Sequence, residues 1–180
     1  MAQLIMNWYN DGTVPVFPVF PEGVSLKRLP DLTDGPTQWL DIIRFMEQKE
    51  KTEVPYEVFE KSLLKHLDFD ENLCFFLAVK GEIAATITVI CHREQRQGYI
   101  HMVACKPSFR GMGLGHLLND VAVYTLKKEG MKTAYLTTDD WRLAAIKTYL
   151  KAGFVPDKES NPDFAERWKN IDAALNLKNQ

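Results

Sequence analysis

The run Arg110-Gly111-Met112-Gly113-Leu114-Gly115 alternates glycine with other residues, and an amphipathic stretch follows with Leu114, Leu117, Leu118 and Val121 at helical spacing. Glycines let a chain turn sharply and let its amides approach a bulky anion. A helix leaves its first N–H groups unpaired and carries about half a positive charge at that end. Together these could seat a phosphate, with Arg110 as a forked donor. Spacing decides which phosphate. A dinucleotide fingerprint, G-x-G-x-x-G, fails because residue 116 is His, and no Gly-Lys-Ser/Thr closes a Walker loop. What remains is Arg110-x-x-Gly113-x-Gly115, or a loop that merely caps a helix.

This pattern resembles the pyrophosphate loop of the GNAT (GCN5-related) N-acetyltransferases. A second stretch, Ala145 to Phe154, resembles that family's other signature, a helix with a tyrosine, Tyr149, four residues before Gly153-Phe154. The resemblance covers roughly residues 24 to 156. It implies direct acetyl transfer from acetyl-CoA to a primary amine, without a metal or a covalent enzyme intermediate. It places the cofactor on Arg110, Gly111, Met112, Gly113, Leu114 and Gly115, and on the backbone of Met102, Val103, Ala104 and Cys105, where the family splays a strand. It is nearly silent on the acceptor. A small-molecule amine and a peptide amine are both compatible with it, as is a homodimer. A domain of the same fold that binds acyl-CoA for regulation, without turnover, is the alternative.

The implied chemistry makes demands that residues can meet. A lysine-like amine has a pKa of about 10.4, so deprotonating it at pH 7 costs about 4.6 kcal/mol. His101, nine residues before Arg110, is the candidate base, resembling the histidine of the arylalkylamine acetyltransferases; Glu53 and Glu57 come next. Tyr149 is the candidate acid for the departing thiolate, since phenol and thiol pKa values differ by only about 1.5 units, or about 2 kcal/mol. The asparagine common seven residues earlier in the family is Arg142 here. Cys105 would share a strand face with His101, but at about 13 Å, too far for proton transfer, and reads as a small buried hydrophobe. His66, His92 and His116 lack metal-site spacing. Between Asp41 and Glu71 nine acids face five Lys/Arg, a lean towards a cationic acceptor that a solvated acidic helix face would also produce.

The elements that must position these residues follow from pattern. Residues 1 to 23 read as an extended strap, in which Pro15, Pro18 and Pro21 alternate with Val16, Phe17, Val19 and Phe20. Val24 to Leu29 reads as a strand. Asp34-Gly-Pro36 opens a helix with the stripe Trp39, Leu40, Ile43 and Met46, and Pro55 starts another through Leu67. Strands follow at 73–79 and 82–91, joined at Lys80-Gly81, and at 98–105. A helix over 114–129, a strand over 132–138 and a helix over 141–152 complete the set, with Asp139 or Asp140 as N-cap. The order matches the GNAT fold: α/β (α+β), a mixed, largely antiparallel sheet with helices on both faces. The family usually adds closing strands, yet residues 161–177 read as a C-terminal helix. Residues 24–180 are expected to form one domain.

At 180 residues and 46% apolar content the chain can bury one sizeable core. A net charge of −2 argues against a nucleic-acid surface. Cys74, Cys91 and Cys105 lie in apolar runs and read as free thiols in a reducing compartment. Neither a signal peptide nor an apolar run of membrane-spanning length is evident, so the expected location is the cytoplasm, away from membranes.

Overall fold

A computed structural model describes residues 2–46 and 53–177. Among the described residues seven strands form one sheet: β1 (Leu4–Tyr9), β2 (Val24–Arg28), β3 (Cys74–Val79), β4 (Glu82–His92), β5 (Gln97–Cys105), β6 (Thr133–Thr138) and β7 (Val155–Pro156). Their spatial order is β2-β3-β4-β5-β6-β1-β7. The pairs are antiparallel except β5 with β6, which run parallel and are joined through helix α3 (Leu114–Lys128).

Helices cover both faces. On one, α3, α4 (Leu143–Lys151) and α5 (Phe164–Leu177) bury Leu118, Val121, Leu126, Ile146, Phe164 and Trp168 against the sheet. On the other, α1 (Gly35–Ile43) and α2 (Tyr56–Phe59) pack Trp39, Ile42 and Phe59 on Phe76 and Ala104. Asp34 caps α1 through the Thr37 amide, as its position before Gly-Pro suggests. The second helix is shorter than expected. After Phe59 it widens into a π turn over Glu60–Leu64, with Lys65 N–H bonding to the Glu60 carbonyl at 2.8 Å.

The expected irregular strap begins instead with a strand. In β1, Leu4 and Met6 are completely buried and Trp8 nearly so, while the residues between them are more exposed. This period-two burial is what a sheet strand requires. The strand lies between β6 and β7, antiparallel to both. Beyond β6 the sheet is therefore continued by this N-terminal strand and then by the two-residue β7 after Gly153-Phe154, and the segment after β7 forms α5. Residues 10–21 have no regular secondary structure and lie against α3, where Phe17 meets Tyr124 edge-on at 5.0 Å. Val14, Val16 and Val19 remain exposed. Neither Asp139 nor Asp140 caps α4. Arg142 occupies that position, with Asp139 bonded to its Nε at 2.9 Å and Asp140 paired with Arg167 of α5.

Candidate active site

The parallel ladder between β5 and β6 ends at Ile100 opposite Leu136. Beyond it β5 kinks. Thr86 faces Ala104 and Thr88 faces His101, so Met102 and Val103 together oppose one residue of β4. This is a β-bulge, and Met102 adopts φ +54°, a region few side-chain-bearing residues enter. The extra residue changes which way β5 side chains point. His101 reaches α2, whereas Val103 and Cys105 pack with the core beneath α3. Cys105 therefore lies on the opposite face from His101, and the shared face expected from simple alternation is lost.

Where the strands part, a cleft of about 120 Å³ opens. Tyr99, His101, Met102, Val103 and Tyr149 line it, with Arg142 at its edge. Gln3, just before β1, and Thr138 of β6 also reach it. The Thr138 hydroxyl is buried there without a hydrogen-bond partner among the described residues. A larger hollow, about 490 Å³, lies between the strap and α3. It contains no residue of the glycine loop or of the cleft beside the bulge.

Burial decides the ionisation of both candidate catalytic groups. Tyr149 is 6% exposed, and desolvation pushes its phenol up to about 12, against a smaller downward pull from Arg142. His101 is pushed down to about 4, first by burial and further by nearby His66, against the opposing effect of its bond to Ser62. A free imidazole titrates near about 6.5, so burial keeps this ring neutral well below the usual point. His101 Nε2 lies 3.0 Å from the Ser62 carbonyl in the π turn, and Nδ1 lies 3.0 Å from the Tyr99 hydroxyl. Its ring also neighbours that of His66 at 5.3 Å, and His66 that of His92, which holds Asp68 at 2.7 Å. Tyr99, Ser62, His66, His92, Thr138 and Gln3 were not signalled by motif. Tyr99 alone had a cue, its position two residues before His101 on one strand face.

The glycine loop sits beyond the bulge. Gly111 and Gly113 have φ of +82° and +79°, and a Cβ at either would meet nothing within 4 Å. Gly113 is the N-cap of α3, so the amides that follow open the helix without side-chain caps. At Gly115 a Cβ would sit 3.4 Å from the Thr148 side chain of α4, an ordinary contact. Asn119 Nδ2 donates to the same Thr148 hydroxyl at 2.9 Å, clasping the two helices. Arg110 is engaged with the protein itself. One terminal N–H group donates to the Phe45 carbonyl at 3.2 Å, and Nε makes a longer contact of 3.4 Å to the Cys105 carbonyl. Its expected role as a forked phosphate donor would require exchanging those partners.

Of the acids between Asp41 and Glu71, Asp41 pairs with Lys106 and Arg44, Glu60 approaches Lys65, and Asp68 holds His92. Glu47 and Glu50 lie outside the described residues. Much of the negative charge is thus locally balanced. Cys74 and Cys91 are buried free thiols, both pushed up to about 11 by desolvation, and Cys105 is also free and raised. Among the described residues no helix is long and apolar enough to cross a membrane.

Residues 37–154 match the Acetyltransferase (GNAT) family, and the chain belongs to that family. It is 30% identical over 140 residues to a mycothiol acetyltransferase of Streptomyces griseus, covering 76% of this chain and 45% of that protein. It is also 30% identical over 126 residues to N-alpha-acetyltransferase 30 of Xenopus laevis, covering 67% and 44% respectively. The chain thus spans less than half the length of these curated relatives. A GCN5-related N-acetyltransferase from Sphaerobacter thermophilus shares the fold with a TM-score of 0.66, at 19% identity and over 87% of this chain and 50% of that one. The ribosomal-protein-S18-alanine N-acetyltransferase from Escherichia coli aligns at 0.59 and 20% identity, over 72% and 76%.

Proposed function

We propose that this chain is an acetyl-CoA-dependent N-acetyltransferase that passes an acetyl group directly to a primary amine. One observation carries the reading: β5 parts from β6 at a bulge, between the amides opening α3 and a cleft lined by Tyr149 and Tyr99. The residues suit the cosubstrate. Gly111 and Gly113 leave open space for a pyrophosphate beside the α3 amides. The free edge of Met102–Cys105 offers backbone groups to an amide-bearing arm, and the unpartnered Thr138 hydroxyl offers one more polar contact. Tyr149 would face the departing sulfur as a neutral hydrogen-bond donor.

The same burial shapes the acceptor. An imidazole held near 4 is a poor base for an alkylammonium. An α-amine, with a pKa of about 7.7–8.0, needs only about 1 kcal/mol to lose its proton at pH 7, against about 4.6 for a lysine-like amine. Weakly basic amines, on small molecules or at peptide N-termini, suit this site. The names of the relatives span a small-molecule acetyltransferase and an N-alpha-acetyltransferase.

The experiment is an acceptor panel graded in amine basicity, scored by release of free CoA from acetyl-CoA and by mass of the product. The expected result is turnover on at least one primary amine, with α-amines ahead of lysine side chains. Binding of acetyl-CoA without release on any acceptor would identify an acyl-CoA-binding regulatory domain instead.

A further inference from the structure

His101 has both ring nitrogens occupied. A carbonyl oxygen can only accept, so Nε2, 3.0 Å from the Ser62 carbonyl, carries the ring proton. In that neutral tautomer the lone pair is on Nδ1, and the Tyr99 hydroxyl 3.0 Å away donates to it. The imidazole thus presents no unengaged nitrogen to the cleft. Tyr99 does present something. Its proton points to His101, leaving the lone pairs of Oη to accept, and the residue lines the cleft together with Tyr149. Its ring is held flat against Tyr135, at 4.7 Å and 12° between planes.

We infer that Tyr99 Oη, and not His101, is the atom that receives the acceptor's proton, with His101 as a positioning and relay residue behind it. This rests on the transferase reading. The amine nitrogen attacks the thioester carbonyl carbon, forming the C–N bond as the carbonyl π pair moves to oxygen. The nitrogen, now positively charged, gives one proton to Tyr99 Oη while the Tyr99 proton moves to His101 Nδ1. When the C–S bond breaks, the sulfur leaves with its electron pair, and the carbonyl reforms. The proton returns from His101 through Tyr99 to solvent, and the thiolate is protonated in turn, giving amide and free thiol. The adduct nitrogen is far more acidic than a free alkylammonium, because its carbon bears oxygen and sulfur. A weak acceptor pair is therefore sufficient. The Ser62 carbonyl, exposed by the π turn of α2, fixes the tautomer that makes the relay run in this direction.

The test compares Tyr99→Phe, His101→Gln and the double variant, using acetyl-CoA and the best amine of the panel. Tyr99→Phe keeps the ring stacked on Tyr135 and removes only the hydroxyl. The expected result is a loss of about 10²-fold in kcat/KM for each single variant. The melting-temperature rise caused by acetyl-CoA should be unchanged. Residues acting as one unit are strongly non-additive, so the double variant should be no more than about threefold below the worse single one. A Tyr99→Phe protein within about threefold of wild type would overturn the inference, and so would losses that multiply in the double variant. A wild-type protein that binds acetyl-CoA but acetylates no amine fails at an earlier, separate measurement and removes the transferase reading itself.

Discussion

Burial acts on Tyr149 and His101 in opposite directions because it disfavours the phenolate of one and the imidazolium of the other. With its phenol near 12, Tyr149 stands about 3.5 units above an ordinary thiol, so complete proton transfer would cost about 5 kcal/mol. In the proposed reaction its contribution would be a hydrogen bond to sulfur as charge develops. Tyr149→Phe should therefore lower kcat and kcat/KM together by about 10²-fold, the low end for a positioned acid, with a melting temperature near wild type. Steady-state kinetics beside a thermal melt checks this, and undiminished kcat would leave Tyr149 as packing. For His101 the linkage sign is definite. The unfolded imidazole takes a proton below about 6.5, while the folded one resists until about 4. Its stability contribution is present above about pH 6.5 and is lost as the pH falls towards 4, to a total of about 3 kcal/mol. His101→Gln should flatten the difference in unfolding free energy across that window, measured by urea titration at each pH. Parallel wild-type and variant curves would show that the imidazole is not held neutral.

At the level of elements, the β5 bulge and the α3 entry make the proposed site, one by opening the sheet and the other by leaving amides uncapped. Gly113 tests the second. At φ +79° a valine would be strained, at a cost of about 1–3 kcal/mol, and its side chain would enter the open space before the helix. Gly113→Val should lower the baseline melting temperature and also abolish the further rise that acetyl-CoA gives. The second effect is read against the variant's own baseline, so strain alone does not imitate it. An equal rise in the folded variant would move the cosubstrate elsewhere. The π turn in α2 belongs to the same level. It shortens the helix expected over 55–67 and turns one carbonyl, that of Ser62, onto the imidazole.

The whole molecule depends on its first strand. β1 lies between β6 and β7, and Gln3 beside it reaches the cleft, so N-terminal residues help build both core and site. Trp8, 4% exposed in β1, and Phe17, 51% exposed in the strap, separate the two parts of that segment. Trp8→Ala should cost about 3–5 kcal/mol. At about 2–4 °C per kcal/mol for a chain of this size, the melting temperature should fall by roughly 10 °C. Phe17→Ala loses one edge-on aromatic contact and should cost about 1 kcal/mol. Comparable losses from both would mean that the strap is as much a part of the core as β1.

Local pattern was enough for much of this molecule. The loop Arg110–Gly115, the helix after it, the hairpin at Lys80-Gly81 and the signature around Tyr149 are legible because each depends on backbone requirements of a few consecutive residues. The alternation Leu4-x-Met6-x-Trp8 was legible too, but the prolines that follow it made the whole segment read as a strap. What only the tertiary structure decided are the relations between distant segments. The bulge at Met102 reverses the face of Cys105, and nothing in the sequence of β5 marks it, since it arises from pairing with β4. Ser62, Tyr99 and His101 meet because the π turn after α2 lies against His101 of β5, and the depressed imidazole follows from that burial rather than from residue type. The addition of β1 beside β6 is likewise a matter of which edge offered unpaired backbone groups. Hydrogen-bond satisfaction at that edge is a property of the folded sheet, set by strands far apart in the chain.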